Sequence, residues 1–327
     1  MILSVSRRTD IPAFYSKWFI NRIREGYVYV KNPFNANQIS NIPLGENVID
    51  CIVFWTKNPE PLLEYLPEIN EKYHGAFYFQ YTINGYENDI EPGVPLLDKR
   101  IDTFVKIAEE YGPDRVVWRY DPIFINEKYS IQWHLDAFKH ILDRLKGHTD
   151  TCVISFIDMY AKTQKNTSQY GIRELSRDEI HYLALEMCKI VKDSGIQIKT
   201  CAESIDLNEF NISHNCCIDQ TRIESITGFR IKAKPDKQRK DCMCIECADI
   251  GLYNTCLHGC RYCYANYNSN RVEKALAEHD DNSPLLTGTL GSESVITNYT
   301  KAKSLKTGII NNDQLNIFNA ISMGDMT

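Results

Sequence analysis

From Met1 to about Ile205, short β-branched or aromatic runs alternate with longer stretches whose apolar residues recur at helical spacing. The first run, Ile2 to Val5, ends in Ser6-Arg7-Arg8-Thr9-Asp10; Phe14, Trp18 and Ile23 then mark one side of a helix that Gly26 closes. A second main run, Val48 to Trp55, ends in Thr56-Lys57-Asn58-Pro59, and Pro59 and Pro61 open the helix after it. Between these two, Tyr27 to Val30 reads as an extra strand or an inserted hairpin. Ala76 to Tyr81 precedes a helix from about Leu96 to Tyr111, stopped by Gly112-Pro113. Arg115 to Tyr120 ends in Asp121-Pro122 and leads to a helix from about Ile131 to Leu145. Thr151 to Ile157 is followed by a helix that a capping box, Ser176 to Glu179, begins and Gly195 ends; Ile196 to Cys201 closes the series.

Strands that alternate with helices of this length imply βαβ crossovers and a parallel sheet. An open doubly wound sheet is the alternative, but no G-x-G-x-x-G or P-loop follows any strand. Polar residues end all six runs, and in a barrel such ends converge on one face. The expected fold is therefore α/β, a complete or partial (β/α) TIM-like barrel with a cysteine-rich segment after it. The expected division is a barrel-like domain over 1–228 and a cysteine-rich segment and tail over 229–327, packed together. Beyond Ile205 the rhythm fades. Cys216 to Asp219 reads as a short seventh strand or a turn into a helix ending near Gly228, and Arg230, Lys232, Lys234, Lys237, Arg239 and Lys240 make a basic connector.

At 327 residues, 43% hydrophobic and 24% charged, the chain can bury a large core. A formal charge of −6 argues against nucleic-acid binding through the whole surface, leaving the basic connector as the one local candidate. The N-terminus is charged too soon for a secretory signal, and no apolar run approaches a membrane span, so no membrane partner is expected. Of twelve cysteines, eight crowd between Cys216 and Cys263. That clustering favours a metal site in a reducing, cytoplasmic setting over a disulfide scaffold.

Within the cluster, Cys256, Cys260 and Cys263 stand at spacings of four and three residues. Three such thiolates can hold three irons of a 4Fe-4S cluster and leave the fourth open. With His258 they could instead hold a structural zinc ion. A second group, Cys242, Cys244 and Cys247, with Cys216 or Cys217 as a fourth ligand, suits an auxiliary iron–sulfur cluster or zinc, or else buried free thiols. The first run resembles the C-x3-C-x2-C signature of radical S-adenosylmethionine (SAM) enzymes, including the aromatic Tyr262 before the third cysteine. That resemblance implies SAM chelated by the open iron, with Tyr262 beside its adenine, and a reductase, flavodoxin or ferredoxin as electron donor.

At the strand ends, residues two apart share a side, so Arg119 projects with Asp121, Gln80 with Thr82 and Cys201 with Glu203. Candidate catalytic residues are Arg119, Asp121, Glu203 and Cys201; Arg119 with Asp121 could equally be a structural ion pair, and Cys201 a packing residue. Candidate cofactor-binding residues are Arg7, Arg8, Asp10, Lys57, Asn58 and Gln80, together with Tyr262. An arginine fork matches a carboxylate or phosphate, and the amides can read polar edges of a small or nucleotide-like substrate.

Blocks along most of the chain resemble the uncharacterised DUF1848 family: Ser4 to Pro12, Phe54 to Pro59, Trp118 to Pro122, Thr200 to Glu203, and Asp249 to Tyr253 leading into the cysteines. Cys260 to Tyr264 alone is also similar to the spore photoproduct lyase group. The cysteines come last here, and no Gly-Gly-Glu type SAM-binding segment is visible, which departs from the radical SAM order. The leading expectation is a radical SAM-like iron–sulfur enzyme acting on an unknown substrate. Alternatives are a metal-stabilised ligand-binding protein without radical chemistry, and a nucleic-acid-processing iron–sulfur protein.

Overall fold

The computed structural model describes residues 1–159, 161–236 and 242–310. In chain order the strands are β1 (Ile2–Val5), β2 (Tyr27–Asn32), β3 (Asn35–Pro43), β4 (Cys51–Thr56), β5 (Phe77–Thr82), β6 (Val116–Ile123), β7 (Thr151–Phe156), β8 (Gln197–Thr200), β9 (Ser213–His214), β10 (Phe229–Ile231), β11 (Ala248–Asp249), β12 (Val295–Asn298) and β13 (Lys306–Ile309). The helices are α1 (Ile11–Phe14), α2 (Ser16–Glu25), α3 (Leu66–Lys72), α4 (Leu97–Tyr111), α5 (Ile131–Leu145), α6 (Ala161–Thr167), α7 (Arg177–Val191), α8 (Gln220–Thr227) and α9 (Ser269–Ala277).

Eight strands form one sheet in the order β11-β1-β4-β5-β6-β7-β8-β9, and every neighbouring pair is parallel. The sheet has two edges, β11 and β9, so it is open and resembles a (β/α) barrel without closing into one. Tyr27 to Val30 is part of the hairpin β2–β3, to which β12 adds a parallel strand. The capping box at Ser176 and Glu179 starts α7 as expected, and Gly26 ends α2 in the left-handed region at φ 83°.

Strand alternation sorts the sheet into two faces. One face carries Phe54, Phe79, Trp118 and Ile154, buried under Phe104, Phe138 and Met187 of α4, α5 and α7. The other carries smaller groups, Ile2, Cys51, Val53, Val117 and Val153, covered by Cys217, Ile218, Ile223, Ile231, Cys244 and Ile245 from the later chain. Towards the C-terminal strand ends this second face turns polar: Val53 gives way to Trp55, Tyr78 to Gln80, Val117 to Arg119 and Val153 to Ser155. Because all eight strands run the same way, these ends lie along one edge of the sheet.

Three elements departed from the expected rhythm. Helix α6 precedes α7, and β11 joins the sheet beside β1 although it spans only two residues. Pro59 and Pro61 open a single 3-10 turn, Glu60–Leu62, before α3. In the basic connector, Arg230 lies in β10 with its guanidinium 3.2 Å from Glu224, while Lys237, Arg239 and Lys240 lie outside the described residues. Among the described residues no helix is long and apolar enough to cross a membrane.

Trp118 is fully buried, stacks on Phe138 at a centroid distance of 4.8 Å and donates its indole N–H to Ile83 O at 3.0 Å. Trp118→Ala removes this packing and is expected to lower unfolding free energy by about 3–5 kcal/mol. Trp118→Phe keeps most of the volume but leaves the Ile83 carbonyl unpaired, at about 1–3 kcal/mol. Urea unfolding that ranked the two equal would contradict this account of the outer face.

Candidate functional site

The polar strand ends and the late cysteine region enclose a cleft of about 830 Å³. Its wall is set first by Asp249 of β11. Asp249 Oδ1 accepts from Ser6 Oγ at 2.5 Å and Gly251 N at 3.0 Å; Oδ2 accepts from Ser4 Oγ at 2.9 Å and Arg7 N at 3.0 Å. A carboxylate with four short donors is strongly fixed, and it fixes the turn after β1 with it. Gly251 is required here, since a Cβ would lie 2.1 Å from Ser6 Oγ.

Arg7 and Arg8 leave this turn into the cleft. The Arg7 guanidinium carbon lies 5.0 Å from the centre of the Trp55 ring, and Arg7 Nη2 is buried without a hydrogen-bond partner. Arg8 lies 5.5 Å from the Tyr253 ring and donates to Gly251 O at 3.3 Å. Aromatic faces hold both guanidinium planes, and Arg7 Nη2 is left available.

Arg119 is different, because its donors are already engaged. Nε and Nη2 meet Asp121 at 3.1 and 2.8 Å, and Nη1 meets Gln80 Oε1 at 3.1 Å and Cys217 Sγ at 3.0 Å. Burial alone would push the Arg119 pKa down, but Asp121, Cys217 and Cys201 together outweigh it and hold it well above the ordinary value. Thr82 Oγ and Ser155 Oγ approach Asp121 at 3.4 Å from the flanking strands. Gln80 is buried and also donates to Cys217 O at 2.8 Å, so it serves the floor of the cleft. Glu203 Oε1 accepts from the Phe156 amide at 2.8 Å, and the Asn58 amide donates to Thr56 Oγ1 at 2.9 Å. Neither Glu203 nor Asn58 is brought to the cleft lining, whereas Arg7, Arg8, Asp10, Lys57, Arg119 and Asp121 are.

On the opposite side, the cysteine loop docks on residues 90–93. Gly93 N donates to His258 O at 2.8 Å and Arg261 N to Ile90 O at 3.0 Å. Between these bonds Glu91, 1% exposed, gathers Lys57 Nζ at 2.8 Å, the Tyr262 hydroxyl and, at 3.8 Å, Arg100. Burial pushes the Glu91 carboxyl up, but Lys57 and Arg100 overcome this and hold it below the ordinary carboxylate range. Asp10 caps α1 through Ala13 N at 3.0 Å and receives Lys57 N and His258 Nε2, each at 2.7 Å. His258 Nδ1 faces Gly93 O at 3.1 Å.

The metal expectation fails in this arrangement. Among the described residues, no three His, Cys, Asp or Glu side chains are placed to hold a metal ion. His258 is committed on both ring nitrogens, Cys263 Sγ accepts from Ala265 N at 3.3 Å, and Cys244 Sγ accepts from Ile218 N at 3.4 Å. The expected 4Fe-4S cluster on Cys256, Cys260 and Cys263, the SAM on its open iron, and a second iron–sulfur or zinc site on Cys242, Cys244 and Cys247 are corrected accordingly. The electron donor such a cluster requires loses its basis as well. These six cysteines do line the cleft, with Cys201, Cys217 and Tyr262, and all twelve cysteines are free thiols. Burial pushes the Cys256 and Cys260 thiols up, and that of Cys247 to about 12.

The family model described as Domain of unknown function (DUF1848) matches residues 2–265. The chain belongs to the DUF1848 family. No curated protein matches it, so the likeness of Cys260 to Tyr264 to spore photoproduct lyases has no counterpart there. Among solved structures, an alpha-L-fucosidase candidate from Bacteroides thetaiotaomicron VPI-5482 is similar at 14% identity and a TM-score of 0.22, over 55% of this chain and 72% of the other. In this DUF1848 chain the residues missed from sequence were Trp55 and Tyr253 as cleft groups, while Cys217, expected only as a metal ligand, lines the cleft as a free thiol. Trp55 alone carried a signal, since it shares the strand side of Val53 and Lys57.

Two outcomes test the docking. A Cβ at position 93 would sit 2.8 Å from the carbonyl oxygens of Leu257 and His258, whereas one at Gly45 meets nothing within 4 Å. Gly93→Ala should therefore destabilise the chain by about 1–3 kcal/mol and Gly45→Ala by much less, measured by thermal unfolding. Glu91→Gln leaves Lys57 buried without its counter-charge and should cost about 3–5 kcal/mol at neutral pH. Because the folded Glu91 pKa is depressed, its contribution is complete above about 4.3 and is lost as pH falls through the lower folded value. The gap between wild type and Glu91→Gln should accordingly narrow in acid; a gap constant with pH would contradict the pairing.

Proposed function

We propose that this DUF1848 chain is an enzyme that binds and transforms a small anionic molecule in the cleft at the C-terminal strand ends. One observation carries the reading: Arg7 is held against Trp55 with a buried N–H that has no partner, whereas Lys57 and Arg119 beside it are matched to Glu91 and Asp121. A buried unpaired donor on a fixed guanidinium is costly unless a ligand completes it. A carboxylate or phosphate is the complementary group, because its two oxygens fit the fork. Arg8, held over Tyr253, extends the cationic wall by one residue.

Within that reading Arg119 is a positioning residue: it fixes Asp121, which stands at the mouth with Thr82 and Ser155, 17% of its side chain exposed. Cys201 supplies a thiol at the same edge. The general α/β architecture, with polar groups gathered at one end of a parallel sheet, is one that supports catalysis.

The test is calorimetric titration of the purified chain with inorganic phosphate, succinate and adenosine monophosphate. Wild type should bind at least one of them, and Arg7→Ala should weaken that binding about tenfold or more, in keeping with the loss of one charge-assisted hydrogen bond. Arg24→Ala, which removes an exposed pair with Glu68 on α2, should leave it unchanged. Equal binding by wild type and Arg7→Ala, or no binding of any of the three, would sink the assignment of Arg7.

A further inference from the structure

A second kind of chemistry is built into the cleft floor, independent of Arg7. Cys201 follows β8 and Cys217 follows β9, and their Sγ atoms lie 3.1 Å apart. A disulfide bond is about 2.05 Å long, so the two sulfurs are about 1 Å short of bonding distance. Backbone contacts hold both residues near this register: Cys201 N donates to Ile154 O at 3.0 Å, and Asn215 N donates to Thr200 O at 2.7 Å. The Cys217 carbonyl is gripped by Tyr78 Oη at 2.7 Å and Gln80 Nε2 at 2.8 Å.

Access to the two sulfurs is unequal. Cys201 is partly exposed on the cleft, whereas Cys217 is 2% exposed beneath it. Arg119 Nη1 reaches Cys217 Sγ at 3.0 Å and Asn215 Nδ2 at 3.7 Å, so the inner sulfur faces two N–H donors suited to a transient thiolate. This is the asymmetry of an attacking thiol backed by a resolving one.

We propose that Cys201 and Cys217 are a reversible dithiol–disulfide pair that reduces a small disulfide entering the cleft. Cys201 loses its proton to water and attacks one sulfur of R–S–S–R. The R–S–S–R bond breaks, a Cys201–S–S–R bond forms, and R–S⁻ leaves and takes up a proton. Cys217, after releasing its own proton, attacks Cys201 Sγ; the mixed disulfide breaks and the second R–S⁻ leaves and is protonated. Two protein thiols are thereby oxidised to one disulfide, and one small disulfide is reduced to two thiols. The hydrogen bond to Cys217 and burial push the Cys201 thiol well above its ordinary range. Ionisation of Cys201 therefore limits the first attack, and the exchange quickens as pH rises.

Cys244 is the competitor for Cys217, because both pack in the same buried cluster, but it accepts from Ile218 N at 3.4 Å. The experiment equilibrates the full chain with mixtures of reduced and oxidised glutathione, quenches with acid, alkylates the remaining thiols and maps the peptides by mass spectrometry. A Cys201–Cys217 linked peptide in excess over every other pair is expected. Cys217→Ser should stall with glutathione bound to Cys201, and Cys201→Ser should show neither product. The wild-type map decides the matter even if a variant fails to fold. Absence of the linked peptide at every ratio, a Cys217–Cys244 link in its place, or oxidation spread evenly over the cleft cysteines overturns the proposal.

Discussion

The inner face of an open parallel sheet is the constraint from which the rest of this molecule follows. A closed barrel fills its own interior with side chains from opposite strands. Here the sheet stops at β9 and β11, and the small inner residues Cys51, Val53, Val117 and Val153 would face water unless another part of the chain covered them. Cys217, Ile218, Ile223, Ile231, Cys244 and Ile245 supply that cover. The same packing that removes apolar surface from water therefore carries Cys217 and Cys244 to the foot of the cleft. Hydrophobic burial, which has no direction of its own, thus fixes where the polar chemistry sits.

Above that floor, charge matching takes over from burial. Asp249 satisfies Ser4, Ser6, Gly251 and the Arg7 amide, Asp121 engages Arg119, Glu91 engages Lys57, and Asp10 engages His258. Each carboxylate sits on a different chain segment from at least one of its partners; Asp121 shares a strand with Arg119 but also meets Thr82 and Ser155 of the flanking strands. Ion pairs of this kind give little net stability because desolvation offsets attraction, yet breaking one is costly. Their effect is to fix register and orientation, and Arg7 stands out because its backbone is held in this way while its guanidinium is not paired.

Much of this frame was legible from local pattern. Ile2 to Val5 is a strand with the expected bounds, the Ser176 capping box starts α7, and Arg119 and Asp121 face the same side as period-two alternation requires. What was not legible depends on partners far away in sequence. Ala248 and Asp249 are too few to show a period, and they become a strand through pairing with Leu3 and Ser4. The spacing of Cys256, Cys260 and Cys263 says which sulfurs could reach a common centre. It does not say that Asp10, 248 residues earlier, claims His258, or that the Ile218 and Ala265 amides claim the Cys244 and Cys263 sulfurs. Spacing lists candidate ligands, but the competition for them is decided in three dimensions.

One short segment couples these levels. Residues 90–93 hold the cysteine loop by two backbone hydrogen bonds, and Glu91 between them holds Lys57 of the opposite wall together with Tyr262 of the loop itself. A displacement of the loop would draw Tyr262 from Glu91 and would also disturb the His258 contact to Asp10, whose other oxygen caps α1. Those contacts lie on both sides of the turn that carries Arg7 and Arg8, since Asp10 follows it and Tyr264 Oη donates to Arg7 O at 2.9 Å. The cationic wall and the docked cysteine loop therefore share contacts at Asp10 and Arg7. Any free energy that ties the Arg7 turn to the loop acts equally in both directions.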